Sequence, residues 1–232
     1  MIEAVFFDLY ETLVTEFDPG WKKKTPLGER LGLGVERFRE EWRARRRPRH
    51  TGAYRDYRAV LREICKTMGE TPDGDLIQTL YTERCNAKTA PFSEIRRDII
   101  GLLEDLEEMK LRIGLITNSE PEDVAAWPRS DLAPFFDDAV FSHKIGYMKP
   151  DPEIYQIASR RMKVNPEESV FVGDGGSHEL EGAARAGMKP IRAVWYSVQW
   201  AETAEDPHNE ADTTYPQLQS PGELVNILTE LD

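Results

Sequence analysis

Val5-Phe6-Phe7-Asp8-Leu9-Tyr10-Glu11-Thr12-Leu13-Val14 reads as a short buried strand that ends on a carboxylate. The run Val5-Phe6-Phe7 is apolar without alternation, as in a parallel strand covered on both faces. In an open parallel sheet, ligands bind beyond the carboxyl ends of the strands. Asp8 therefore projects into a crevice, in the place of a nucleophile.

Working outward, helical and strand-like segments alternate from residue 92 onward, the pattern of a parallel sheet covered on both faces. The spacing predicts strands over 111–116, 139–141, 169–172 and 190–195, and helices over 93–109, 122–127, 152–162, 177–186 and 223–231. Ile95, Ile99, Leu102, Leu103 and Leu106 form the inward face of the first of these helices. Residues 15–91 show no strand pattern. Helices are expected there over 26–31, 35–47, 54–68 and 74–85, with Tyr57, Val60, Leu61 and Ile64 at the helical spacing of a small bundle. Asp18-Pro19-Gly20 is a turn signal, and 197–219 reads as polar loop with one short edge strand. The expected fold is α/β: a doubly wound, Rossmann-like parallel-sheet core of residues 1–15 plus 92–232, interrupted by an all-helical cap over 16–91.

The chain has 232 residues, enough for such a core and its insert. A formal net charge of -12 argues against a nucleic-acid partner, which needs a positive surface to displace counterions. The charge is uneven, because ten arginines and only three acids (Glu40, Glu41 and Asp56) lie between Arg37 and Arg62. Most of these arginines fit a solvated helix face, but Arg43 and Arg47, one turn apart, are candidates to reach an anionic substrate. Cys65 and Cys85 have neither disulfide nor metal spacing and fit small buried side chains in a reducing cytosol. No signal-peptide pattern and no apolar run of membrane-spanning length is present, so a cytoplasmic protein without a membrane partner is expected. A monomer or a homodimer fits equally.

Three strand ends carry chemistry: Asp8, Thr117 and the pair Gly173-Asp174. Singly, each is what a turn or a helix cap also looks like. Their order and spacing resemble the haloacid dehalogenase-like hydrolases, which act through an aspartyl-enzyme intermediate. Asp8 and Thr12 match that superfamily's first motif, and Thr117, in Leu115-Ile116-Thr117-Asn118, matches the second. Lys149, in Lys149-Pro150-Asp151-Pro152, matches the third, and Gly173-Asp174 through Glu179 and Gly182-Ala183 match the fourth. The resemblance implies Asp8 as nucleophile, Lys149 as charge neutraliser, and Thr117 with Asn118 as holders of phosphoryl oxygens. It also implies Mg²⁺, held by Asp8, the backbone carbonyl of Tyr10 and Asp174, with Glu179 on a metal-bound water. Oxygen donors suit that ion, and a cation relieves the repulsion between Asp8 and Asp174. Thr12 is expected to order the first loop beside the substrate.

Two positions depart from the pattern. Tyr10 stands where the superfamily's phosphatases carry a second aspartate that protonates the leaving oxygen, and a phenol with a pKa near ~10 is a poor base. A good leaving group, as in an acyl phosphate, suffers less from this than a phosphate ester. His178-Glu179 replaces a common Asn-Asp pair, which makes His178 a candidate for touching the phosphate. His50, His143 and His208 receive no role.

The expectation is a Mg²⁺-dependent phosphatase acting on a small phosphorylated metabolite through an aspartyl phosphate on Asp8. The alternative is a metal-independent L-2-haloacid dehalogenase. Members of that group share the Asp-x-Tyr motif, a cap arginine like Arg43 and a segment like Ala90-Pro91-Phe92-Ser93-Glu94, but lack the Gly-Asp pair. A third reading is a catalytically weak module that binds Mg²⁺ and anions.

Overall fold

A computed structural model describes residues 1–17, 25–197 and 214–231. Six parallel strands form one sheet in the order β3-β2-β1-β4-β5-β6: β1 Ala4–Phe7, β2 Arg112–Thr117, β3 Asp138–Phe141, β4 Ser169–Gly173, β5 Lys189–Ala193 and β6 Gln217–Leu218. The opening stretch supplies a central strand, with β2 on one side and β4 on the other. Phe7 lies level with Leu115 and Val172, so the next residue of β1 and the ends of both neighbours emerge on the same edge.

Side chains alternate between two apolar layers because successive Cβ atoms of a strand point to opposite faces. Val5 and Phe7, with Ile113, Leu115, Val170 and Val172, meet α6 (Arg97–Glu108) and α10 (Glu223–Leu231) through Ile99, Leu102, Leu103, Leu106, Leu224 and Leu228. Ala4 and Phe6, with Ile116 and Phe171, meet α8 (Pro152–Met162) and α9 (Glu179–Arg185) through Ile154, Tyr155, Ala158, Met162, Leu180 and Ala183. A doubly wound sheet is therefore present, as expected.

Between β1 and β2 run α1 (Leu27–Arg30), α2 (Val35–Ala44), α3 (Arg46–His50), α4 (Tyr57–Thr67) and α5 (Gly74–Thr89). They enclose an apolar cluster of their own that includes Phe38, Tyr57, Val60, Leu61, Ile64, Ile77 and Leu80. Asp56 caps α4 by accepting from the Ala59 amide at 3.0 Å. Another short helix, α7 (Ser142–Ile145), follows β3 directly.

Several predicted boundaries move, for local reasons. The helix expected over 35–47 breaks at Arg45 into α2 and α3. Pro48 accounts for the break, since its ring would strike the carbonyl of Ala44 four residues back. Helix α5 runs on to Thr89 rather than stopping at 85, which places Arg84 and Lys88 one turn apart on a common face. Residues 122–127 form two 3₁₀ turns, Glu122–Val124 and Trp127–Arg129, the second with Pro128 in its first turn. The helix expected from 177 begins at Glu179, because Ser177 and His178 both hold left-handed backbone angles. The predicted turn at 18–20, His208 and most of the expected loop 197–219 lie outside the described residues.

Gly114 in β2 marks a close approach, since a Cβ there would stand 2.5 Å from both Met162 Sδ and the Phe6 ring. Gly114→Val is expected to lower stability by about 1–3 kcal/mol through overpacking. Urea unfolding followed by circular dichroism would measure it, and an unchanged midpoint would contradict this packing.

Candidate active site

The sheet's carboxyl edge gathers residues that are far apart in the chain. Asp8 follows β1 directly, and its amide donates to the Val172 carbonyl at 2.9 Å. Asp174 follows β4, and Glu179 opens α9 five residues later. One carboxylate oxygen from each of Asp8, Asp174 and Glu179 lies within 4.8 Å of the others. Lys149 reaches into this group from the segment before α8, with its Nζ 2.6 Å from Asp8 Oδ1 and also bonded to Glu179 Oε2. Lys149 and Glu179 are each 1% exposed, so the ion pairs are shielded from water.

Burial sets the electrostatics. It pushes the Asp8 carboxyl up; Lys149 pulls it back, Asp174 adds to the rise, and the net shift is upward. Glu179 is raised further, by burial and then by Asp8, against the opposing pull of Lys149. Burial lowers the Lys149 ammonium, yet Asp8 and Glu179 more than offset this and hold it charged. Two carboxylates thus share one ammonium while Asp174 repels both.

The surrounding backbone fixes the geometry. Gly175 N donates to Glu179 Oε1 at 3.1 Å, and Gly176 N donates to Asp174 Oδ1 at 2.9 Å. Gly173 leaves the space that the Glu179 carboxylate fills, since a Cβ there would clash with Glu179 Oε1 and force that side chain to move. Tyr155 donates its hydroxyl to the Glu179 carbonyl at 2.7 Å. Arg192 Nε donates to the Asp174 carbonyl at 3.0 Å.

The remaining expected site residues divide. Thr117 is the buried last residue of β2. The Asn118 side chain does not extend toward a substrate: its Nδ2 donates to the Lys149 carbonyl at 3.0 Å and its Oδ1 accepts from the Lys149 amide at 2.7 Å. It clamps the lysine's backbone. Thr12 is buried with its hydroxyl unpartnered among the described residues, while its carbonyl accepts from Trp195 Nε1 at 2.8 Å. Tyr10 donates its hydroxyl to the Asp123 carbonyl at 2.5 Å. Burial and then Asp123 push its phenol well above the ordinary range, so it stays protonated and engaged. Glu11 accepts from Thr15 Oγ1 and from the Glu16 amide, which holds its carboxylate on the first loop.

Three expected substrate contacts have other surroundings in this structure. Arg43 is exposed on α2, before the bend at Arg45 that turns the chain toward the core. Arg47 is committed to Asp151, with nitrogen to oxygen distances of 2.8 and 3.1 Å. His178 faces solvent with its side chain 83% exposed and Glu181 3.6 Å away.

The cationic residues that do reach the core were not singled out from the sequence. Arg49 pairs with Glu120 and stacks over the Trp42 ring with 3.7 Å to its centroid. Arg84 contacts Glu120 at 3.1 Å and Asp123 at 3.0 Å, and Lys88 contacts Asp123 at 3.2 Å and Glu16 at 2.6 Å. Lys88 also lies 4.8 Å from the centroid of the Tyr10 ring. Burial holds His50 neutral, with a pKa of about 4. Arg46 meets the loop after β4, donating to Ser177 Oγ at 2.6 Å. The available signals were Pro48, which bends the arginine run, and the acids of Glu120-Pro121-Glu122-Asp123 just after Thr117.

The family model described as haloacid dehalogenase-like hydrolase matches residues 2–187. A glyceraldehyde 3-phosphate phosphatase of Methanopyrus kandleri is 29% identical over 246 residues, covering 100% of this chain and 99% of that one. One from Methanothermobacter thermautotrophicus is 30% identical over 213 residues, covering 82% and 85%. Among solved structures, a 2-haloacid dehalogenase from Pseudomonas syringae pv. tomato superposes with a TM-score of 0.66 at 25% identity, covering all of both chains.

Lys149→Met would leave the Asp8 and Glu179 carboxylates facing each other without a cation. The expected cost near neutral pH, in EDTA, is about 3–5 kcal/mol. Without the ammonium both folded-state pKa values rise further, so the deficit shrinks as falling pH protonates these groups. Urea midpoints of both proteins at neutral and mildly acidic pH would test this, and a deficit that grows in acid would contradict it.

Proposed function

The chain belongs to the haloacid dehalogenase-like hydrolases, and from that premise we propose that it is a Mg²⁺-dependent phosphatase of small phosphorylated metabolites. The observation that carries the reading is the carboxylate group of Asp8, Asp174 and Glu179 around Lys149. A metal-free site has no use for Asp174 beside Asp8, since that charge only raises the nucleophile's pKa. An all-oxygen set with a surplus of negative charge fits a hard divalent cation. Asp8, Asp174 and the Tyr10 carbonyl would hold it. Glu179 has both oxygens occupied by Lys149 and the Gly175 amide, which suits it to a water of the ion's shell. When bound, Mg²⁺ supplies charge neutralisation for the phosphoryl group and lets Asp8 react as a carboxylate.

In the proposed sequence, Asp8 Oδ attacks phosphorus, the bond to the leaving oxygen breaks as that oxygen takes a proton from solvent water, and an aspartyl phosphate forms on Asp8. Water then attacks that phosphorus, releasing inorganic phosphate and restoring the Asp8 carboxylate. Lys149 stays protonated throughout and balances the charge on Asp8 and the equatorial oxygens. Thr117 stands at the neighbouring strand end, where its hydroxyl can donate to a phosphoryl oxygen. Asn118 acts one step removed, by fixing Lys149. Residues 16–91 serve as the cap that covers the crevice.

A dehalogenase is the second reading, favoured by Tyr10 and by the likeness to the Pseudomonas structure. Its expected product, chloride from L-2-chloropropionate without metal, is measured in parallel.

Phosphate release from p-nitrophenyl phosphate or acetyl phosphate is expected to require Mg²⁺, to stop with EDTA, and to fall by at least about a thousandfold in Asp8→Asn. Turnover that survives both treatments would overturn the proposal. Gly173→Ala, whose methyl displaces the Glu179 carboxylate, is expected to raise the Mg²⁺ concentration for half-maximal rate by about tenfold or more. An unchanged Mg²⁺ requirement would remove Glu179 from the metal's surroundings.

A further inference from the structure

Hydrogen bonds hold the first loop on both sides of Tyr10. The Leu13 and Val14 amides both donate to the Leu9 carbonyl, at 2.9 and 3.0 Å, and the Glu11 amide donates to the Val14 carbonyl at 2.6 Å. The Thr12 carbonyl accepts from Trp195 Nε1 at 2.8 Å, and the Leu13 carbonyl accepts from the Tyr196 hydroxyl at 3.3 Å. The Tyr10 carbonyl is different: among the described residues it accepts from no protein donor. Glu11, which shares a peptide with that carbonyl, holds left-handed backbone at φ 56. A non-glycine residue keeps such a conformation only where its surroundings impose it.

Part of that constraint comes from the cap. The Tyr10 hydroxyl donates to the Asp123 carbonyl at 2.5 Å. Lys88, in the last turn of α5, places its Nζ 3.2 Å from Asp123 Oδ1, 2.6 Å from Glu16 Oε1 and 4.8 Å from the centroid of the Tyr10 ring. One ammonium therefore touches the first loop at Tyr10 and at Glu16, and the turn after β2 at Asp123. Asp123 is itself held, by the Glu120 amide at 2.7 Å and by Arg84 Nη2 at 3.0 Å. The Lys88 and Asp123 side chains are largely withdrawn from water, where such contacts are less screened than at the surface.

We propose that Lys88 and the Tyr10 side chain are positioning residues for the divalent cation. Acting through Asp123, they hold the first loop so that the Tyr10 carbonyl stays available as a ligand. A ligand ordered beforehand costs less to order on binding. Neither side chain touches the ion. This rests on the Mg²⁺ reading above and adds to it a residue of the cap, so that metal affinity depends on α5 as well as on the sheet edge.

The test is a Mn²⁺ titration of the substrate-free protein, read by the electron paramagnetic resonance of the free ion, which gives affinity and number of sites separately. Tyr10→Phe is expected to weaken Mn²⁺ binding by about tenfold or more, and Lys88→Met to weaken it in the same direction. Because both act through one loop, the double variant is expected to lose little more than the worse single one. Unfolding of a variant lowers the number of sites and leaves the affinity of the rest unchanged, so affinity is the readout. Wild-type affinity in either single variant would overturn the proposal while leaving the metal site intact. Losses that multiply in the double variant would overturn it as well, since they would mean two independent effects. A wild-type protein that binds no Mn²⁺, or binding that survives Asp174→Asn, would overturn the Mg²⁺ reading and this proposal with it.

Discussion

One buried ammonium holds the site together. Lys149 Nζ lies between Asp8 and Glu179, with Asp174 close enough to repel both. Burying like charges is tolerated only with a cation in good geometry and with the remaining lone pairs satisfied. The chain meets both conditions locally. Asn118 fixes the backbone of Lys149 at two points, the Gly175 and Gly176 amides take carboxylate oxygens, and Gly173 leaves room for the Glu179 side chain. Each of these partners sits at the end of a strand or the start of a helix, so the parallel register of β1, β2 and β4 brings them to one edge.

The same logic extends outward to the helical insert. Asp123 links three parts of the molecule: its carbonyl takes the Tyr10 hydroxyl, and its carboxylate takes Arg84, Lys88 and the Glu120 amide. Burial pushes that carboxyl up, but Lys88 and Arg84 outweigh burial and hold it below the usual range. The seam is not fully satisfied. Arg49 Nε, Arg84 Nε, His50 Nδ1 and Glu122 Oε2 are buried without a protein partner among the described residues. A first loop tied through Tyr10 to this seam connects cap position with the carbonyl proposed for the metal.

Much of this was legible in the sequence because its causes are local. The apolar run ending in Asp8, the strand ending in Gly173-Asp174 and the alternation from residue 92 each carry their own signal, and a doubly wound parallel sheet follows from them. The bundle stripe of Tyr57, Val60, Leu61 and Ile64 was readable for the same reason. What was not readable depended on direction. Helical spacing pointed to Arg43 and Arg47, but the Pro48 bend placed Arg46 and Arg49 against the core instead. Tyr10 was read as a substitution at a catalytic position, whereas its role in the fold is a long-range bond to Asp123, more than a hundred residues away. Glu179 stands where the resemblance has the aspartate of an Asn-Asp pair. Its length is what lets it bridge Lys149 and the Gly175 amide over a glycine.

The central claim is that Asp8 becomes phosphorylated. The most direct measurement is to mix the protein with Mg²⁺ and ³²P-labelled acetyl phosphate, quench in acid within the first turnover, and map the labelled peptide. The account predicts a hydroxylamine-sensitive label confined to the peptide that contains Asp8 and absent in Asp8→Asn. Substrate consumed with no label on that peptide, or a label that persists in Asp8→Asn, would contradict it.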